Sequence, residues 1–193
     1  MSNPVLPERP VGVRGTYRHS GETNDEASVP DRVADLLDEQ DRSAWGRTLT
    51  AEGTSLVEQA LASRRFGPYT IQAAIAAVHA EAGSAAETDW VQIAGLYDVL
   101  VRANPSPVVA LNRAAAVAMR DGPAAGLALV DGILAAGDLH DYHLAHSARA
   151  DLCRRLGLTQ EARVSYERAL ALARQEPERR FLERRVRELD LLG

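Results

Sequence analysis

Residues 143–176 read HLAHSARADLCRRLGLTQEARVSYERALALARQE. Small, aromatic and large apolar residues follow one another there in a regular order, at Ala150, Gly157, Ala162, Tyr166, Ala169 and Leu170. Small side chains at fixed positions let neighbouring helices approach closely, and a glycine after a helix lets the chain reverse. Pro177 follows, and proline cannot continue a helix because it lacks the backbone N–H. The stretch therefore predicts two antiparallel helices joined by a turn at Gly157.

A pair of helices of about 34 residues with this order resembles a tetratricopeptide repeat. Residues 104–135 look like a shortened copy, with Ala115, Gly122 and Ala128 in comparable roles, and residues 68–103 are a candidate third pair. A helix pair exposes an apolar face unless a neighbour covers it, so the last helix should act as a cap through Phe181, Leu182, Val186 and Leu189. The predicted fold is all-α, with antiparallel helix pairs stacked as a tetratricopeptide-like right-handed solenoid of about eight helices.

Residues 1–30 carry four prolines and no apolar periodicity, which predicts a flexible N-terminal arm. Residues 31–193 are predicted to form the helical domain, with its clearest repeat at 143–176 and its capping helix at 177–190.

Helix starts are marked by glycine or serine followed by proline at 67–68, 106–107 and 122–123, and by a capping-box pattern at Asp89 and Gln92. We expect Asp141 and Thr159 to cap the two helices of the clear repeat. In the first of these helices, Leu144, Ala148, Leu152 and Leu156 form the predicted apolar face. Another helix, opened by Asp41 or Ser43, should bury a stripe made of Trp45, Leu49, Leu56 and Ala60.

The formal charge is −5, and all 22 basic residues are arginines scattered along the chain. An acidic chain without a basic run is not suited to gripping a phosphate backbone, so we expect no direct binding of nucleic acid. The single cysteine, Cys153, excludes an internal disulfide and predicts a small buried group without reactivity. No signal peptide or long apolar run is evident, so we expect a cytoplasmic protein without a membrane partner.

Several strings stand out beyond the repeat, and they read DEQDRSAW (38–45), GPYTIQAAIAAVHAE (67–81), TDW (88–90), SPVVALNRA (106–114) and YHLAHSARADL (142–152). Together they resemble the long helical C-terminal extension of a group of extracytoplasmic-function (ECF) sigma factors, over about residues 38–190. The resemblance implies a tetratricopeptide-like domain that governs sigma activity and whose partner is a sigma module, RNA polymerase or a regulator. Residues 1–37 do not match and are too short for the promoter-reading modules, so direct promoter recognition is not expected.

A polar stripe on the first helix of the clear repeat is the main candidate for partner binding, with Arg149 beside it; its residues are His143, Ser147, Asp151 and Arg154. An ordinary solvated face is the competing interpretation. Asn112 and Arg113 are a second candidate, since they could hold a partner's backbone or carboxylate, or else form a buried hydrogen bond between helices. Candidates for docking an upstream module are Asp38, Asp41, Arg42 and Trp45, although helix capping alone would explain Asp41.

Three imidazoles within seven residues, at His140, His143 and His146, suggest a metal site as a minor alternative. His143 and His146 diverge around the helix, however, and we predict neither a metal nor another cofactor. No nucleophile elbow, phosphate-binding loop or zinc-protease motif is present, so no catalytic residue is assigned. The first hypothesis is a non-catalytic regulatory domain of a sigma-factor-like protein. The rivals are a stand-alone tetratricopeptide-type scaffold that binds a peptide or partner protein, or self-associates, and a metal enzyme at the histidines.

Overall fold

The computed structural model describes residues 47–63 and 67–191, which all belong to one compact unit, Val33–Gly193. These residues form eight α-helices and no β-strand: α1 Arg47–Ala62, α2 Pro68–Glu81, α3 Trp90–Ala103, α4 Pro107–Asp121, α5 Pro123–Ala135, α6 His143–Arg155, α7 Thr159–Leu172 and α8 Glu176–Asp190. A short 3-10 helix, Ala85–Glu87, precedes α3. The all-α prediction is confirmed. The predicted N-terminal arm and Trp45 lie outside the described residues.

Proline sets the first turn of three helices, as the sequence predicts. Pro68, Pro107 and Pro123 each occupy the start of a helix, where the missing N–H removes no hydrogen bond. Asp89 caps α3, because its carboxylate accepts the backbone N–H of Gln92 at 2.9 Å. These local signals specify the helix starts without any contribution from tertiary contacts.

Two predicted caps are wrong. The residue before α6 is Tyr142 and no side chain caps that helix, while Asp141 instead accepts a hydrogen bond from Arg168 at 2.9 Å. Thr159 is the first residue of α7 and not its cap. For Thr159 the reason is the tight turn after α6, where Leu158 N–H donates to Cys153 O at 2.9 Å and Gly157, at φ 74°, donates to Arg154 O. This Schellman-type closure brings Leu158 directly to the start of α7.

Each described helix packs against its neighbours in sequence, and α4 also touches α6. Three buried clusters result, and α4 and α6 each contribute to two of them. Val109 of α4 lies in a cluster with α2 and α3, whereas Leu111 of the same helix lies in a cluster with α5 and α6. In the same way α6 gives Leu152 to that second cluster and Cys153 to a third, with α7 and α8. One side of α4, and likewise of α6, therefore packs in one cluster while the other side packs in the next. The clusters follow one another along the chain and do not merge into one central core.

The α6–α7 pair packs as predicted through small residues. Ala150, Ala162 and Ala169 are each fully buried, and Tyr166 is 1% exposed. In the third cluster, α8 covers this pair with Leu182 and Leu189, at 2% and 1% exposure.

The close contact in the α4–α5 pair differs from the prediction. Ala115 and Ala128 are exposed, although Gly122 does form the turn, at φ 97°. The two helices meet at Gly126 instead, where an added Cβ would lie 2.4 Å from the Cβ of Ala118. Only glycine fits at this position because the backbone of α5 lies directly against the backbone of α4.

Two further apolar assignments are wrong. Leu144 and Leu156 of α6 are 46% and 37% exposed, and Leu56 of α1 is 59% exposed. The buried side of α6 includes Ala145, since close packing against its neighbours selects a small side chain over a large one.

We predict that Gly126→Ala lowers the free energy of unfolding by about 1–2 kcal/mol, because the gain in helix propensity does not offset the overpacking against Ala118. Urea denaturation followed by circular dichroism measures the change. Gly132→Ala in the same helix is the matched control, since an added Cβ there meets nothing within 4 Å. That control should be neutral or up to about 1 kcal/mol more stable. Equal stability of the two variants would contradict the close approach.

Candidate interaction surface

Arg149 lies inside a polar bridge between three helices. Its Nε donates to Asp131 Oδ1 of α5 at 2.7 Å, and its Nη1 donates to Ser165 Oγ of α7 at 2.7 Å. Ser165 is 3% exposed, so the guanidinium satisfies a buried hydroxyl. Arg149 thus has a structural role that the sequence did not reveal, and its role in partner binding stays a prediction.

Arg113 has a similar position between α3 and α4. Its Nε donates to Asp98 Oδ1 at 2.5 Å, and both side chains are about one third exposed. Its neighbour Asn112 is exposed on the outer side of α4. Of this predicted pair, the structure thus leaves Asn112 as the residue open to a partner.

The predicted stripe on α6 is half-buried. Arg154 Nη2 donates to Asp151 Oδ1 at 2.6 Å, and this hydrogen bond raises the pKa of the Arg154 guanidinium. His143 Nε2 lies 3.2 Å from Glu178 Oε2 of α8, at ion-pair distance but without hydrogen-bond alignment. Ser147 lies between them and is also half-buried. The structure brings these residues together, but several of them already contact groups of this chain.

A second line of four positions, spaced by four, three and four residues, runs along α6 beside that stripe. Its end positions, Leu144 and Arg155, are exposed, whereas Ala148 and Asp151 between them are half-buried, and only Asp151 belongs to the predicted set. Because Leu144 and Ala148 are apolar, a pattern of polar residues in the sequence does not mark this line.

The three histidines do not converge. His146 Nε2 contacts the backbone oxygen of His140 at 2.7 Å, and His140 Nδ1 contacts Asp141 at 3.2 Å, whereas His143 faces Glu178. Within the part of the chain that the structure describes, no three His, Cys, Asp or Glu side chains could hold one metal ion. His140 and His146 instead help to fix the connection between α5 and α6, where Leu139 has a φ of 57°.

Asp38, Asp41, Arg42 and Trp45, the predicted docking residues for an upstream module, lie outside the described residues. Among the described helices, none has both the length and the apolar character needed to span a membrane.

Comparison with known proteins gives one informative relative. An uncharacterized protein of Rhizobium meliloti (strain 1021) is 48% identical over 139 residues, which is 72% of this chain and 32% of that protein. The matched region thus spans about one third of the length of this curated relative. No protein-family model matches the sequence, and no solved structure is similar to it.

We predict that Arg149→Ala lowers the free energy of unfolding by about 1–2 kcal/mol, because it leaves the Ser165 hydroxyl buried without its donor. The loss of stability stays small because the Asp131 side chain is 46% exposed, so water weakens the ion pair. A cycle with Asp131→Ala and the double variant, measured by urea denaturation, isolates the pair. Arg155→Ala, at an exposed position of α6, is the control and should change stability by less than about 0.5 kcal/mol. Equal effects of the two arginine variants would disprove the bridge.

We also predict that the Cys153 thiol resists modification in the folded protein. Cys153 is fully buried, and burial raises the pKa of its thiol, so both access and thiolate fraction are low. The absorbance change with a thiol-reactive disulfide reagent at pH 8 should be slow in buffer and fast in 8 M urea. Fast labelling in buffer would show that α6 is not packed against its neighbours as described.

Proposed function

We propose that this chain is a non-catalytic protein-interaction domain that regulates transcription initiation as part of an ECF sigma-factor-like protein in the cytoplasm. The proposal is supported by the positions, within the helices, of the sequence strings that resemble the ECF sigma-factor extension. The strings at 67–81, 106–114 and 142–152 coincide with α2, the first half of α4 and most of α6. The string at 88–90 lies at the start of α3, and the string at 38–45 lies outside the described residues. The resemblance thus extends over four of the described helices.

The polar contacts between helices support a role in presenting a surface. Arg113, Arg149 and Arg163 each bind a carboxylate on another helix, at Asp98, Asp131 and Asp190. Links of this kind restrain the angle between packed helices, and a rigid face loses less entropy on binding than a mobile one. A rigid set of helices with no catalytic constellation among the described residues fits binding better than chemistry.

The length of the Rhizobium relative fits a domain attached to other modules. About two thirds of that protein lies beyond the matched region, which leaves room for promoter-reading and polymerase-binding modules. Under this proposal the present domain contacts a sigma module or polymerase and does not touch DNA itself.

A stand-alone scaffold is the second candidate function. It is favoured by the shared clusters of α4 and α6, because repeat proteins that pack neighbour to neighbour serve as peptide- and protein-binding surfaces without any tie to transcription.

Affinity capture from the native cell extract with the full chain distinguishes the two functions. Wild type should retain RNA polymerase subunits or a sigma factor, identified by mass spectrometry, and Asn112→Glu with Leu144→Glu should lose them. Both residues are exposed on neighbouring helices, so the double variant should keep its circular dichroism spectrum and melting temperature. Val164→Glu, at an exposed apolar site on α7, is the control that should retain the partners.

Retention of other proteins with no polymerase or sigma component would favour the scaffold. Equal retention by the double variant would contradict binding through α4 and α6.

A further inference from the structure

Four positions on α4 form one exposed line. Val108, Asn112, Ala115 and Met119 are all exposed, and their spacing of four, three and four residues places them on one side of the helix. The intervening Val109, Leu111 and Ala116 are buried.

The same spacing recurs at an interval of 36 residues on α6 (108 to 144) and again on α8 (144 to 180). On α6 the line consists of Leu144, Ala148, Asp151 and Arg155. On α8 it consists of Arg180, Arg184, Arg187 and the residue that ends the helix, Leu191, all of them exposed. We call these three sets together the even-helix surface.

Direct contacts place the three lines next to each other. Arg155 Nη1 of α6 lies 3.7 Å from Met119 Sδ of α4, which joins the last positions of two lines. His143 and Glu178, at 3.2 Å, join α6 to α8 one and two residues before the first positions of their lines. The even-helix surface is therefore continuous from α4 across α6 to α8.

The surface exposes large apolar groups at its ends. Val108 and Leu144, the first positions of two neighbouring lines, are 38% and 46% exposed, and the last positions Met119 and Leu191 are 42% and 87% exposed. Exposed apolar groups collected on one face, with polar groups between them, mark a site for a partner.

The charge of this surface is opposite to that of the chain. The twelve positions of the surface carry four arginines, Arg155, Arg180, Arg184 and Arg187, and one carboxylate, Asp151, which is itself bound by Arg154, whereas the whole chain carries −5. The charges of Arg180 and Arg184 are partly balanced by Glu176 and Glu188 of their own helix, at 3.1 and 3.9 Å. Arg187 forms no salt bridge within the described residues. A positive apolar face on an acidic protein selects an acidic partner, because like charges elsewhere repel it and these arginines attract it.

We propose that the even-helix surface binds an extended acidic peptide segment of a partner protein, with apolar side chains that contact Val108 and Leu144. Packed helices lie about 8–10 Å apart, which is about three residues of an extended chain at roughly 3.3 Å each. The peptide would thus present apolar residues three apart, with Asp or Glu between and beyond them. This inference rests on the proposed interaction function and names the chemistry of its partner.

A random 15-residue peptide display library, selected on the full-length protein, tests the proposal without assuming a sequence. Bound peptides should be enriched in Asp and Glu and carry apolar residues at a spacing of three. Their affinity, measured by fluorescence anisotropy, should fall with added salt and drop roughly tenfold or more for the triple variant Arg155→Gln, Arg184→Gln, Arg187→Gln. The variant Arg102→Gln, Arg120→Gln, Arg174→Gln removes the same charge away from the three lines and should bind like wild type.

Three results would overturn the proposal: no enriched peptide, peptides without acidic enrichment, or equal binding by both triple variants. Light scattering on the free protein could give a fourth contrary result. If the protein is a dimer and the first triple variant is a monomer, the even-helix surface binds a second copy of this chain and not an acidic peptide. The two proposals can fail separately. If the extract capture retains no polymerase or sigma component but acidic peptides bind and need the three arginines, the link to transcription is lost and this inference stands.

Discussion

The close approach of neighbouring helices through small side chains is the constraint on which the rest of this structure depends. In the α6–α7 pair the contact is made by alanines without measurable exposure, and in the α4–α5 pair by a glycine against Ala118. Dispersion and hydrophobic burial reward such contacts only when the two surfaces fit without voids, so the small residues fix the register of each pair. Larger groups such as Tyr166 then fill the space beside the contact line.

Once the pairs are in register, the polar bridges between them become possible. The Arg149 guanidinium reaches both Asp131 and Ser165 because α5 and α7 flank α6 at close range. Arg179 plays a comparable part at the end of α7, where it donates to the carbonyl oxygens of Leu170 and Ala173. Those carbonyls have no partner within their own helix, so the contact connects α8 to the end of its neighbour.

The sequence predicted several helix starts and the packing of the α6–α7 pair correctly, but not the caps at Asp141 and Thr159 or the buried sides of α4 and α6. Proline at 68, 107 and 123 and the Asp89 cap specify helix starts on their own, and all four were correct. The burial of Ala115 and of Leu144 was predicted wrongly, because a helix wheel ranks residues by hydrophobicity and does not indicate which side its neighbours occupy. For the same reason the predicted binding stripe of α6 was placed on its polar residues, which are half-buried, while the apolar Leu144 is exposed.

Because α4 and α6 each pack in two clusters, a chain of this architecture can change its length only in certain steps. Gly122, and Gly157 with Leu158, make turns so short that consecutive helices must run in opposite directions. Loss or gain of a single helix would reverse the direction of every helix that follows and turn the outward lines toward their neighbours. Insertions and deletions within this architecture should therefore come as whole hairpins. The 36-residue period is then the step by which the exposed face can be extended or shortened.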